Sequence, residues 1–239
     1  MENPENTSPS TDLSRSNKRK RTTIDKFRLH FIGNSAGILR QIIDLITTNE
    51  RFADYFTFQR NDLDFVAWEM ANAEFADLPG IPTLIRPTHG LVLEIGAYVL
   101  ETNSADEKEL AKNMMTTLCS VMAQHETTYC IIIAVLPRHK KPMENYPELQ
   151  RFNERASKFN AHLREYIRGS PNFRFMDFRK STPTEEVEKF IADDGVNLNF
   201  GGLELFIFYL RQITLEELLP AVKKNIEESN MTVTWNSSY

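Results

Sequence analysis

Five short apolar runs decide what this chain can fold into: Phe27 to Ile32, Leu63 to Trp68, Leu91 to Ile95, Ile131 to Leu136 and Phe173 to Phe178. Each has the length of a strand, and their near-continuous hydrophobicity differs from the strict alternation of a strand with one wetted face. Between them lie apolar stripes of period 3.6. The first holds Ile38, Ile42 and Leu45 with Leu39, Ile43 and Ile46 beside them; the second holds Leu110, Met114, Leu118, Val121 and Met122; the third holds Leu149, Phe152, Ala156, Phe159, Leu163 and Tyr166. The third stops at Gly169 with Pro171 just beyond, as helices commonly end. Strands of this kind separated by amphipathic helices are buried on both faces, which predicts a five-stranded, mostly parallel sheet with helices on either side. The expected class is three-layer α/β, closed by helices near Leu203 to Arg211 and Leu215 to Glu228.

The ends of the chain lack such patterning. Residues 1–26 are rich in Ser, Thr, Asn, Pro and charge and hold no apolar stripe, so they are expected to form a disordered polar and basic tail. The α/β domain is assigned to 27–229 and a second tail to 230–239. In the first tail six cations (Arg15, Lys18, Arg19, Lys20, Arg21, Lys26) face four anions (Glu2, Glu5, Asp12, Asp25), a net of +2; with −5 for the whole chain, the remainder carries −7. A generally basic nucleic-acid surface on the domain is therefore not expected. The run Lys18 to Arg21 suits an import receptor or phosphate contacts. No apolar run approaches the roughly 20 residues that cross a bilayer, and the polar N-terminus lacks an export signal. The expected location is intracellular, nuclear or cytoplasmic, which sets aside the glycosylation sequons at Asn6, Asn230 and Asn236. The two cysteines, Cys119 and Cys130, each fall in an apolar segment and offer no paired ligand spacing. They are read as small buried hydrophobes, with no disulfide framework, metal or cofactor expected.

In parallel α/β sheets ligands gather at the carboxyl ends of the strands, so the residues just after each strand carry the functional information. Gly33-Asn34-Ser35-Ala36-Gly37 follows the first strand and Gly96-Ala97-Tyr98-Val99 the third; Asp193-Asp194-Gly195-Val196-Asn197-Leu198-Asn199 precedes the last helix region. This set resembles the SGNH, or GDSL-type, hydrolases, whose blocks read Gly-Asp-Ser, Gly-x-Asn-Asp and Asp-Gly-x-His-Leu-Asn. The resemblance runs over most of residues 27–212, including Leu136-Pro137-Arg138 and Arg151-Phe152-Asn153, and implies a flavodoxin-like, SGNH-type domain. Gly33-Asn34-Ser35 is also ordinary turn and N-cap vocabulary, Gly195 suits a tight turn, and Asn199 suits the cap of a helix starting at Phe200.

The departures from the family blocks determine the functional expectation. A serine nucleophile needs a general base, usually a histidine oriented by a carboxylate. Ser35 keeps the serine position and Asp194 the carboxylate position, but the histidine position is Asn197, whose amide does not accept a proton at useful pH. The oxyanion donor of the third block aligns with Tyr98 and the following aspartate with Val99. The second-block glycine is absent after Trp68, where Glu69-Met70-Ala71-Asn72 stands and Gly80 lies in a Pro-Gly turn near the third strand; Asn34 replaces the usual aspartate of the first block. His139, after the fourth strand, is the one replacement base to name, in the loop Arg138-His139-Lys140-Lys141. His30 reads as an interior or sheet-edge histidine, and His89, His125 and His162 are assigned no chemistry.

The expectation is therefore a catalytically inactive SGNH-like domain with a vestigial site at Ser35, Asp194, Asn197 and Tyr98, acting as a protein-interaction or assembly module in an intracellular complex. The alternatives are a divergent serine esterase using Ser35, and a nucleic-acid-binding pseudo-hydrolase with basic contacts at Lys18, Arg19, Lys20, Arg21, Arg138, His139, Lys140 and Lys141. A protein partner is expected, nucleic acid is the lesser candidate, and no membrane is involved.

Overall fold

The computed structural model describes residues 27–33, 38–48, 63–70, 74–80, 89–124, 129–139, 146–177 and 184–218, with two isolated positions beyond them, 220 and 224. Both tails, the Lys18 to Arg21 run, Asn34, Ser35, His125, Lys140 and Lys141 lie outside the described residues.

Five strands form one sheet: β1 (Phe27–Gly33), β2 (Leu63–Glu69), β3 (Gly90–Glu94), β4 (Tyr129–Ile133) and β5 (Phe173–Met176). Every pairing is parallel, in the order β2-β1-β3-β4-β5. The described helices are α1 (Ile38–Thr48), α2 (Ala97–Thr102), α3 (Glu107–Gln124), α4 (Tyr146–Tyr166) and α5 (Phe200–Gln212). Alternate residues of the central strands feed two cores. Leu91, Leu93 and Ile132 pack with Met114, Leu118, Phe159 and Leu163 of α3 and α4. Val92, Ile131 and Phe31 pack with Ile42 of α1 and with Phe206 and Leu210 of α5. β3 and β4 are apolar along nearly their whole length because both of their faces are covered.

Several boundaries moved for identifiable reasons. β4 was expected over Ile131 to Leu136 but is a strand over Tyr129–Ile133, because its partner β5 is only four residues long. Beyond Ala134, whose N–H still reaches the Met176 carbonyl, the chain bonds to helix α4 instead. Asn160 donates its amide to the Val135 carbonyl (2.8 Å) and accepts from the Val135 N–H (3.0 Å). Two turns earlier, Asn153 grips Arg138 in the same way, with both bonds at 2.7 Å. Side-chain amides thus imitate a neighbouring strand and hold 134–139 extended at the sheet's carboxyl edge. The last helix begins at Phe200, capped by the Asn199 side chain, which accepts from the Gly202 N–H at 3.0 Å. It passes into a π-helix over Ile213–Leu218, where the sequence pattern predicted a new helix over Leu215 to Glu228; beyond Leu218 most of that stretch lies outside the described residues. Gly80 ends a 3₁₀ helix over Phe75–Gly80 rather than occupying a simple turn. Cys130 is buried in β4, but Cys119 is exposed, correcting its assignment to the interior. Its neighbour Leu118 takes the inward position on α3, and one residue further round a helix faces away.

Candidate functional site

The strand order leaves β1 and β3 adjacent while the chain after each departs to opposite sides, so a crevice opens beyond their carboxyl ends. The register places Gly33 between Glu69 of β2 and Glu94 of β3. A Cβ at position 33 would come within 2.7 Å of Glu94 Oε2 and 3.2 Å of Leu39 Cβ, so the end of β1 accepts only glycine without rearrangement. The glycine that opens Gly33-Asn34-Ser35 therefore has a packing reason of its own. Glu94 at this edge was not singled out from the sequence, because nothing in a strand's final residue signals which way it packs.

The loop before α5 is organised by Asp194. Its Oδ1 accepts from the N–H groups of Val196 and Asn197, both at 2.8 Å, and its Oδ2 accepts from the Asn197 side-chain amide. Gly195 stands at φ +72°, and a Cβ there would collide with the His139 carbonyl oxygen, whose own residue donates its N–H to the Gly195 carbonyl at 2.8 Å. Glycine is required there on both counts. Gln41 of α1 reaches the same loop, donating to the Leu198 carbonyl at 2.7 Å and accepting from its N–H at 3.3 Å. The helix that follows the Ser35 segment is thereby bonded to the loop that carries Asp194 and Asn197. Gln41 carried no sequence signal, being one polar residue on an apolar helix.

Chemically, Asn197 retains half of a histidine's role. It donates a hydrogen bond to the carboxylate, as a triad histidine would through one ring nitrogen, but it has no second nitrogen to take a proton. Tyr98 is half-buried on α2, and its hydroxyl has no hydrogen bond among the described residues. Val99 is 5% exposed and belongs to the core with Leu93 and Phe159, so the position aligned with the family aspartate is a packing position here.

The histidines separate by location. His139 is partly buried beside the Gly195 turn, with Nδ1 3.5 Å from Glu188 Oε1; its Nε2 is buried and has no hydrogen bond among the described residues. His30 is buried in β1, an interior strand of the sheet, rather than at a sheet edge. His89 lies at the start of β3, where its Nδ1 accepts the Arg28 N–H at 2.8 Å; burial, with the Arg28 charge second, lowers its pKa from 6.5. His162 on α4 lies 4.0 Å from Glu165. Of the basic loop, Arg138 is already engaged: it pairs with Glu101 and lies over the Phe152 ring, 4.2 Å from its centroid. Among the described residues no group of three or more His, Cys, Asp or Glu could hold a metal, and no helix is long and apolar enough to cross a membrane.

No family model matches the sequence, and no curated protein matches it. Solved structures do resemble the fold. A GDSL-like lipase from Bacteroides thetaiotaomicron superposes with a TM-score of 0.59 at 14% identity, over 77% of this chain and 86% of that one. A lipase/acylhydrolase from Enterococcus faecalis gives 0.51 at 14% identity, over 78% and 94%. An acetyl xylan esterase gives 0.55 at 14% identity, over 77% and 98%. The chain has the α/β fold of the GDSL-type, or SGNH, hydrolases.

Proposed function

We propose that this domain keeps a hydrolase fold without ester hydrolysis and works as an interaction module in an intracellular complex, in the nucleus or cytoplasm. One observation carries the reading: the Asp194 carboxylate, which would orient a base, accepts hydrogen bonds from two backbone N–H groups and from the Asn197 amide in the place of a histidine. The replacement of both third-block residues, Tyr98 and Val99, supports it. Losing base and oxyanion donor together removes two of the largest contributions to acyl transfer, since one donor alone can be worth ~10²–10³ in rate. The test is turnover of a short-chain nitrophenyl ester by the full chain. The reading expects none above background and fails if turnover occurs and is abolished by Ser35→Ala. Deleting 1–26 should leave melting unchanged and alter nuclear import.

A second reading, a serine esterase using Ser35, draws on His139. A histidine within 3.5 Å of a carboxylate, with its other nitrogen unengaged among the described residues, has the base-and-orienter arrangement of a triad. The similar folds named as lipases and esterases favour the same reading. It predicts ester turnover lost in both Ser35→Ala and His139→Ala. Nucleic-acid binding ranks lower, because the chain is acidic overall and Arg138 is paired; a binding isotherm without a salt slope would exclude it.

A further inference from the structure

Between α2, the loop that follows it and the first half of α4 lies a cavity of about 590 Å³, within the range of ligand-binding sites. Arg138, from the segment after β4, also lines it. Its apolar lining comes from Leu100 and Phe152, both buried, and from Leu149. One wall is fixed by Arg155, whose guanidinium donates to Glu107 and to the carbonyls of Leu100, Asn103 and Ala105. Those bonds use four of the five Arg155 N–H donors and make the wall preformed. The other two lining guanidiniums differ in state. Arg138 is stacked on Phe152 and paired with Glu101 in an ion pair that is about one-third exposed, so the pair is weak and exchangeable. Arg151 is exposed and has no partner among the described residues.

We propose that this cavity docks a short peptide segment carrying one carboxylate, with an apolar side chain against Leu100 and Phe152 and the carboxylate bridging Arg151 and Arg138 in place of Glu101. Planar guanidiniums match carboxylates bidentately, and apolar surface beside them selects a ligand carrying both kinds of group. The lining carboxylates Glu101 and Glu148 and the net charge of the chain favour a single carboxylate over a polyphosphate or a run of acidic residues, both of which they repel. The inference rests on reading the domain as an interaction module and names the class of partner for it.

Fluorescence anisotropy with the full chain and a labelled hexapeptide of leucine and serine with a single aspartate tests it. Arg151→Gln should weaken binding about tenfold, the size of one charge-assisted hydrogen bond. Glu101→Gln should strengthen it about threefold, because the internal competitor for Arg138 is gone. The same peptide with asparagine for aspartate should bind at least tenfold more weakly. Both substitutions are at exposed positions, and unchanged melting confirms that each variant is folded. The proposal is overturned if the peptide does not bind, if the two variants leave affinity unchanged or shift it in the same direction, or if a hexanucleotide RNA displaces the peptide at equal concentration. Ester turnover through Ser35 would defeat the module reading while the titration still succeeded; failure of the titration alone defeats only the peptide site.

Discussion

Rebuilding the family's third block should fail at folding before it fails at catalysis, and Val99→Asp isolates the reason. Val99 is 5% exposed in the cluster with Leu93 and Phe159. Removing a buried valine forfeits about 1.5–3 kcal/mol of apolar burial. A carboxyl group placed there without a partner costs about 1–3 kcal/mol more even when protonated. The sum, ~2.5–6 kcal/mol, is a large share of the ~5–15 kcal/mol that a domain commonly has. Urea unfolding followed by circular dichroism, with wild type and Val99→Thr as references, measures it. Burial raises the pKa of the introduced carboxyl above its unfolded value. As pH rises past that unfolded value the unfolded state ionises first, so the deficit should be smaller at pH 4 than at pH 7. A deficit under about 1 kcal/mol at pH 7, with no growth from pH 4, would refute the assignment of position 99 to the core.

Asn197→His alone should give no enzyme-like turnover of a nitrophenyl ester, since the oxyanion position remains Tyr98; efficient turnover would show that the hole is intact. Asn160→Ala, at a residue 2% exposed, leaves the Val135 N–H and carbonyl without their partners and should cost ~2–5 kcal/mol in urea unfolding, more than Asn153→Ala at its half-buried site. His89 has a lowered folded-state pKa, so its stabilisation is complete above 6.5 and is lost as pH falls below it, when the unfolded state binds the proton first. His89→Gln, which keeps an acceptor for the Arg28 N–H, should therefore lose less of its urea midpoint than wild type between pH 7 and pH 5. A thiol reagent should label Cys119 in the native protein and Cys130 only on unfolding, because burial both hides the Cys130 thiol and raises its pKa; native labelling of both would contradict the placement of β4.

The layered class, the strand positions and the parallel pairing were legible in residues 27–212 because they follow from local periodicity, which any segment displays by itself. The Asn199 cap and the Gly195 turn were legible for the same reason: each is a contact within a few residues. The sequence also showed which family positions Ser35, Asp194, Asn197 and Tyr98 occupy. What tertiary structure decided was long-range. That Gln41 holds this loop, that Asn153 and Asn160 stand in for a missing strand, and that Glu94 crowds Gly33 all depend on elements far apart in the chain meeting at one sheet edge. A polar residue on a helix looks the same in sequence whether it faces water or a carbonyl, and only the packed fold distinguishes the two. Val99 is the clearest instance: its spacing marks the place of a family aspartate, while the closing of α2 over the sheet makes that place apolar.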